Sequence, residues 1–175
     1  MNIKQVLMTV NQMQADGVID HYAIGGAVAA TFYLEPVATL DVDIFVAFRP
    51  EPGKLLVSPQ PLFDYLLTHG CSMESEYVII SGWPVQFLPP PSPLVEEALL
   101  QARKMDVEEV TTCVFSAEHL ACIALQTGRP KDKARLLQFM ESGVLDKTCF
   151  QNMLIRHGLQ EQWRRFEAQF LTGHP

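Results

Sequence analysis

Two aspartates one residue apart, Asp41 and Asp43, open an otherwise apolar run, "VATLDVDIFV", at residues 37–46. Side chains alternate along a strand, so these two share a face. Ionised carboxylates are costly to bury unless they are paired or hold a metal. Two hard anionic oxygen groups at that spacing repel each other when empty and suit an octahedral cation such as Mg²⁺. The spacing alone is a weak signal, because a solvated strand start would explain it equally well. Order along the chain strengthens it. Upstream, Gly25-Gly26 lies between the strand-like "HYAIGG" and the helix-like "AVAATFYL". Glycines there let a phosphate approach the backbone, and a helix N-terminus offers N–H groups to an anion. A tight turn needing positive φ is the plainer reading of the same pair.

A second cluster is "GRPKDKAR", in which Arg129, Lys131, Lys133 and Arg135 gather four of the thirteen Lys and Arg residues. On a helix begun by Pro130, Lys131 and Arg135 share a face at i, i+4 and could meet a triphosphate, with Asp132 orienting one of them. The bland alternative is a solvated helix start with an Asp132–Arg135 ion pair, the acid sitting well at the N-terminal dipole.

Positioning these residues falls to an alternation of helices and strands. Ile3, Val6, Leu7, Val10 and Met13 recur at helical spacing, and Gly17 suits a C-cap. Pro36 stops the helix of residues 27–34, and 41–48 reads as a strand. "RPEPGK" (49–54) is a loop, and Ser58-Pro59 starts a helix ending near Gly70. "EYVII" and "WPVQFL" flank Ser81-Gly82, a hairpin signal that pairs Ile80 with Trp83 and Tyr77 with Gln86. Ser92 caps a helix in "PPPSPLVEEALLQARK", and "VEEVTTCVF" (107–115) reads as a strand. After Ser116 everything reads helical, with turns at Gly128-Arg129-Pro130, Gly143 and Gly158. Residues 1–115 thus form an α/β-patterned core and 116–175 a C-terminal helical segment packed on it.

The stretch "GGAVAATFYLEPVATLDVDIFV" resembles the signature of the nucleotidyltransferase fold of the DNA polymerase beta type. More narrowly, it is similar to small bacterial members that include the AbiEii-type toxin group. "EHLACIALQTGRPKDKARLLQFME" (118–141) resembles that group's helical segment. The resemblance implies an α+β fold, a mixed β-sheet flanked by helices with a C-terminal helical segment. It implies Mg²⁺-dependent transfer of a nucleotidyl group from an NTP to a hydroxyl-bearing acceptor: a small molecule, a protein or an RNA end. Residue by residue, Gly25 and Gly26 match the phosphate turn, and Asp41 and Asp43 the metal pair. Thr39, Lys131 and Asp132 join the nucleotide-binding set. The fold usually adds a third carboxylate from a later strand, and the aligned position here is Gln86. An amide oxygen ligates weakly and takes no proton at neutral pH. Glu76 points to the opposite face and is a poor replacement. A catalytically impaired nucleotide binder or a toxin–antitoxin regulatory protein is therefore the competing expectation.

Composition bounds the partners. The chain has 175 residues and a net charge of -7, so a broad nucleic-acid surface is not expected. The four cysteines lack zinc spacing and read as reduced thiols in or near the core. The N-terminal segment does not read as a signal peptide and no stretch approaches a membrane span, so a cytoplasmic protein is expected. His119 reads as a first-turn helical residue behind the Ser116 cap. The last helix, with Leu159, Trp163, Phe166 and Phe170 on one face, is read as core packing, with a homodimer element as the alternative. A cognate antitoxin is the other partner that the toxin-group resemblance implies. A dinucleotide-binding reading fails because "GGAVAA" lacks the G-x-G-x-x-G spacing.

Overall fold

The computed structural model describes residues 2–36, 38–48 and 58–171. Seven strands form one mixed sheet in the order β3-β4-β5-β2-β1-β7-β6. They are β1 (Ile19–Ile24), β2 (Val42–Phe48), β3 (Ser72–Glu74), β4 (Tyr77–Ile80), β5 (Trp83–Leu88), β6 (Arg103–Val107) and β7 (Val110–Val114). β2 runs antiparallel to β1 and parallel to β5, which makes it a central strand. Interleaved with them are α1 (Ile3–Ala15), α2 (Gly26–Ala30), α3 (Gln60–Thr68) and α4 (Pro93–Leu100). Four helices follow: α5 (Ala117–Thr127), α6 (Pro130–Ser142), α7 (Lys147–Arg156) and α8 (Gln160–Phe170).

Alternation along β2 divides the sheet into a packed face and a working face. Val42, Ile44 and Val46 are buried, and on the adjacent β5 so are Val85 and Phe87. α1 and α4 pack on the central strands, α1 burying Val6, Leu7, Val10 and Met13 at the expected helical spacing. The intervening residues Asp43, Phe45 and Gln86 lie on the opposite, half-buried face. α5 contacts α2, α4, α6, α7 and α8, so the C-terminal helices join the helices of the core through it.

Several boundaries differ from the sequence reading. The helix expected over 27–34 is only Gly26–Ala30, continued by a tighter turn in which Phe32 and Tyr33 donate to the carbonyls of Ala29 and Ala30. β-branched and aromatic residues crowd the following turn and weaken regular helix there. β3 went unread because its three residues are exposed and carry no alternation. The single strand expected at 107–115 is a hairpin, β6 and β7, which turns at Glu108-Glu109 with φ of 47° and 68°. Its first arm, "RKMDV", lies where a helix end was expected; the charges suit an exposed edge strand. The Ser81-Gly82 hairpin has the expected Ile80–Trp83 pairing. Ser58 accepts from the Gln60 N–H at 3.2 Å, and Pro59 holds the cap position, so that helix starts at Gln60. The expected loop at 49–54 lies outside the described residues. All four cysteines are free thiols, and burial pushes that of Cys122 up to about 12.

Candidate active site

The strand-turn-helix from β1 into α2 brings Gly25 and Gly26 under β2. The Gly25 N–H donates to the Asp43 carbonyl at 2.9 Å. That N–H is thereby spent on the backbone and is not a phosphate donor. Gly25 matters for space instead, since a Cβ there would stand 2.5 Å from the Phe45 ring and 3.1 Å from the Phe115 ring. Gly26 has φ of +59°, and a Cβ on it would stand 2.0 Å from Asp43 Oδ2. The second glycine therefore serves two demands at once, a left-handed backbone and room for a carboxylate.

Asp41 and Asp43 stand on one face, as the spacing requires. Burial raises the Asp43 pKa above the ordinary carboxylate range, and the neighbouring charge of Asp41 raises it further. Lys131, Arg135 and Arg129 pull it back down, which puts the start of α6 electrostatically opposite the aspartate pair. The sheet thus supplies the acids and the helical segment supplies the bases. Thr39 donates its hydroxyl to the Asp41 carbonyl at 3.1 Å and approaches the carboxylate at 3.4 Å. It holds the entry to β2 in place.

Gln86 is the register partner of Asp43 across the parallel β2–β5 pair. Register partners in a sheet point to the same face, so its amide lies beside the aspartates, where the sequence reading places it. Glu76 lies in the turn before β4, exposed and hydrogen-bonded to Ser75, away from the pair. Among the described residues no group of three His, Cys, Asp or Glu side chains could hold a metal. The two carboxylates nevertheless fit Mg²⁺ of the kind that takes one or two protein oxygens and completes its shell with substrate phosphates and water.

Asp132 departs from the sequence reading. It is 3% exposed and accepts from Arg129 Nε at 2.6 Å and Arg129 Nη2 at 3.3 Å. Its partner is Arg129, not Arg135, and its role is to fix that guanidinium. Lys131 stays exposed at the first turn of α6. Two contacts near the site escape the sequence reading, that of Tyr77 and that of Arg129. Tyr77 donates its hydroxyl to Asp41 Oδ2 at 3.5 Å, the long end of hydrogen-bonding distance. Arg129, one of the four bases of the basic cluster, is the partner of Asp132. The pairing of Tyr77 with Gln86 was the available signal for the first, and the i, i+3 spacing of Arg129 and Asp132 was the signal for the second.

No family model matches the sequence, and no curated protein matches it by sequence. Solved structures do match by fold. An antigenic nucleotidyltransferase-like protein from Paracoccidioides brasiliensis superposes with a TM-score of 0.56 at 17% identity, covering 92% of this chain and 91% of that one. The antibiotic-resistance factor ANT(2'')-Ia in solution gives 0.51 at 12% identity, covering 95% and 96%. Its crystal structure in complex with adenylyl-2''-tobramycin gives 0.51 at 13% identity, covering 97% and 99%. The narrower likeness to the toxin group has no counterpart among these three. The fold is that of a nucleotidyltransferase, an α+β arrangement with a seven-stranded mixed sheet.

Proposed function

We propose that the protein transfers a nucleotidyl group from a Mg²⁺-bound NTP to an acceptor oxygen, which the sequence reading takes as a hydroxyl. One observation carries this: of the Asp41–Asp43 pair, Asp43 stands against a glycine that leaves room for its carboxylate. The charges of Lys131 and Arg135 favour its ionised form. Asp41 and Asp43 would hold the metal, and Thr39 and Tyr77 would steady Asp41. Lys131 and Arg135 would receive the phosphates farthest from the sugar, with Arg129 held ready by Asp132. When bound, Mg²⁺ would neutralise charge on the triphosphate as pyrophosphate departs.

Thermal denaturation with each of the four Mg·NTPs tests the binding half. At 100 times the dissociation constant, a ligand that binds only the folded state adds about 2.7 kcal/mol. The expected result is a rise in Tm with at least one NTP, its loss with EDTA, and pyrophosphate release with a suitable acceptor. Asp41→Asn with Asp43→Asn should remove both effects, and an unchanged response in that variant would overturn the proposal. Gln86 at the third position favours a second reading, nucleotide binding without transfer. Stabilisation with no pyrophosphate from any acceptor would select it.

A further inference from the structure

Strand pairing fixes an amide, not a carboxylate, beside Asp43 on the open face. That substitution bears on the acceptor. When an alcohol attacks an α-phosphorus its O–H proton must leave, which calls for a base about 3 Å from the hydroxyl. Gln86 has no capacity to take a proton. Glu74, the register partner of Tyr77, sits on the edge strand β3, three strands from β2 and about 14 Å away at the usual strand spacing. The nearer described candidates are already committed. Asp41 and Asp43 are the metal pair, and the Asp132 carboxylate is closed by two bonds from Arg129. Glu76 is engaged with Ser75 in the exposed turn before β4, and Tyr77 directs its hydroxyl proton at Asp41. Among the described residues no third acid, His or Cys joins the pair.

The cations of the site tell the complementary story. Neither Lys131 nor Arg135 has a hydrogen bond or contact ion pair among the described residues, whereas Arg129 has one with Asp132. A site that, among the described residues, is short of bases and supplied with unpaired cations suits a nucleophile that arrives already ionised.

We propose, building on the Mg·NTP reading above, that the acceptor is a phosphate monoester and the product a phosphoanhydride. An ionised oxygen of the monoester attacks the α-phosphorus of the NTP and forms a new P–O–P bridge. The bond from the α-phosphorus to the bridging oxygen of the β-phosphate breaks, and that oxygen leaves with the pyrophosphate. No proton has to be removed from the nucleophile, so an amide at position 86 is sufficient. It can donate an N–H to the incoming phosphate, where a carboxylate would repel it.

The test uses the whole protein with Mg²⁺ and α-labelled ATP. Inorganic phosphate and glycerol 3-phosphate are the acceptors, with glycerol as the phosphate-free control. Labelled ADP from inorganic phosphate and a pyrophosphate-linked conjugate from glycerol 3-phosphate are expected, each with stoichiometric pyrophosphate. Glycerol should react at least about tenfold more slowly, since proton transfer by a positioned base is worth at least that much. The rate with glycerol 3-phosphate should rise through the second ionisation of the monoester, near pH 6, and then level off. Without turnover, glycerol 3-phosphate should bind calorimetrically to the protein loaded with Mg²⁺ and a nonhydrolysable ATP analogue, and glycerol should not. Gln86→Glu, checked for retained stabilisation by Mg·ATP, should shift the preference toward glycerol. Equal or faster transfer to glycerol by the unaltered protein overturns the proposal. So does Mg·ATP binding with no transfer to either phosphate. If Mg·ATP itself fails to stabilise the protein, the nucleotidyltransferase reading has failed first.

Discussion

Asp43 has little space and an unfavourable charge environment. Gly26 leaves its carboxylate the volume that any Cβ would fill, and burial together with Asp41 opposes its ionisation. The folded protein therefore binds this proton more tightly than the unfolded chain does. Stability is greater where the carboxyl is protonated, and falls as pH rises from 3.8 through the higher folded-state value. Asp43→Asn removes the ionisation and should raise the ligand-free Tm at pH 7, with the gain fading as pH falls to 3.8 and below. Thermal scans across pH read this directly. A variant no more stable than the parent at pH 7 would show that Lys131, Arg135 and Arg129 already offset the burial. Adding Mg·NTP should reverse the order, since only the parent has the full pair. That Asp41 and Asp43 share a face beside the two glycines was legible from short-range spacing; that the glycines serve to make room for Phe45 and Asp43 was not. The approach of Tyr77 to Asp41 was hidden because it depends on the reach of a side chain across the sheet, and Asp132 pairs with Arg129, three residues before it, where Arg135 was the expected partner.

At the scale of elements, a central strand and the β4–β5 hairpin aim the candidate site, and the β6–β7 hairpin lies apart from it. The β4–β5 hairpin was legible because Ser81-Gly82 is ordinary turn chemistry, with φ of 49° and 81°. From that turn the register counts down to Gln86, beside Asp43. The β6–β7 hairpin was not legible, because Glu108-Glu109 adopts the same left-handed pair of conformations without a residue that favours them. Val107 pairs with Val110, so the loop is two residues long and both turn residues need positive φ. The Lys4–Glu109 ion pair, at 3.8 Å with Glu109 93% exposed, offsets little of that. Replacing Glu108-Glu109 by Asn-Gly should stabilise the protein by about 1 kcal/mol, since non-glycine residues in sparse φ/ψ regions cost about 1–3 kcal/mol each. Urea denaturation measures it. The hairpin lies at the sheet edge away from β2, so nucleotide binding should not change.

At the scale of the molecule, the proposed site draws on both halves of the chain, acids from the sheet and bases from α6. What holds the halves in register then bears on that proposal. The helical character after Ser116 was legible from composition and turn residues; its attachment was not, because it runs through ionic contacts between segments distant in sequence. Glu97 on α4 accepts from Arg156 Nε at 2.9 Å and Nη2 at 2.5 Å, and pairs with His157 Nε2 at 2.9 Å. It also lies 3.4 Å from His119, whose Nδ1 shares a hydrogen bond with Ser116, the α5 cap, at 2.8 Å. His119, legible from sequence as a first-turn residue, is thus 1% exposed at the centre of this joint. The Arg156 bonds, with help from His157, draw the Glu97 pKa down from 4.5 to about 2 against the opposing effect of burial. A carboxylate depressed in this way contributes stability that is fully present above pH 4.5 and lost as pH falls toward about 2. Glu97→Gln should cost about 2 kcal/mol at pH 7, the range for hydrogen bonds to charged groups. The gap between parent and variant should narrow below pH 4.5 and close near about 2. Urea titrations at stepped pH test this, with Trp163 fluorescence in a Trp83→Phe background reporting on α8 alone. If Glu97 ties the helices to the core, the Trp163 transition should separate from the loss of sheet signal in acid, and earlier in Glu97→Gln. A gap that stays constant to pH 3 would place the stabilisation in packing rather than in this charge.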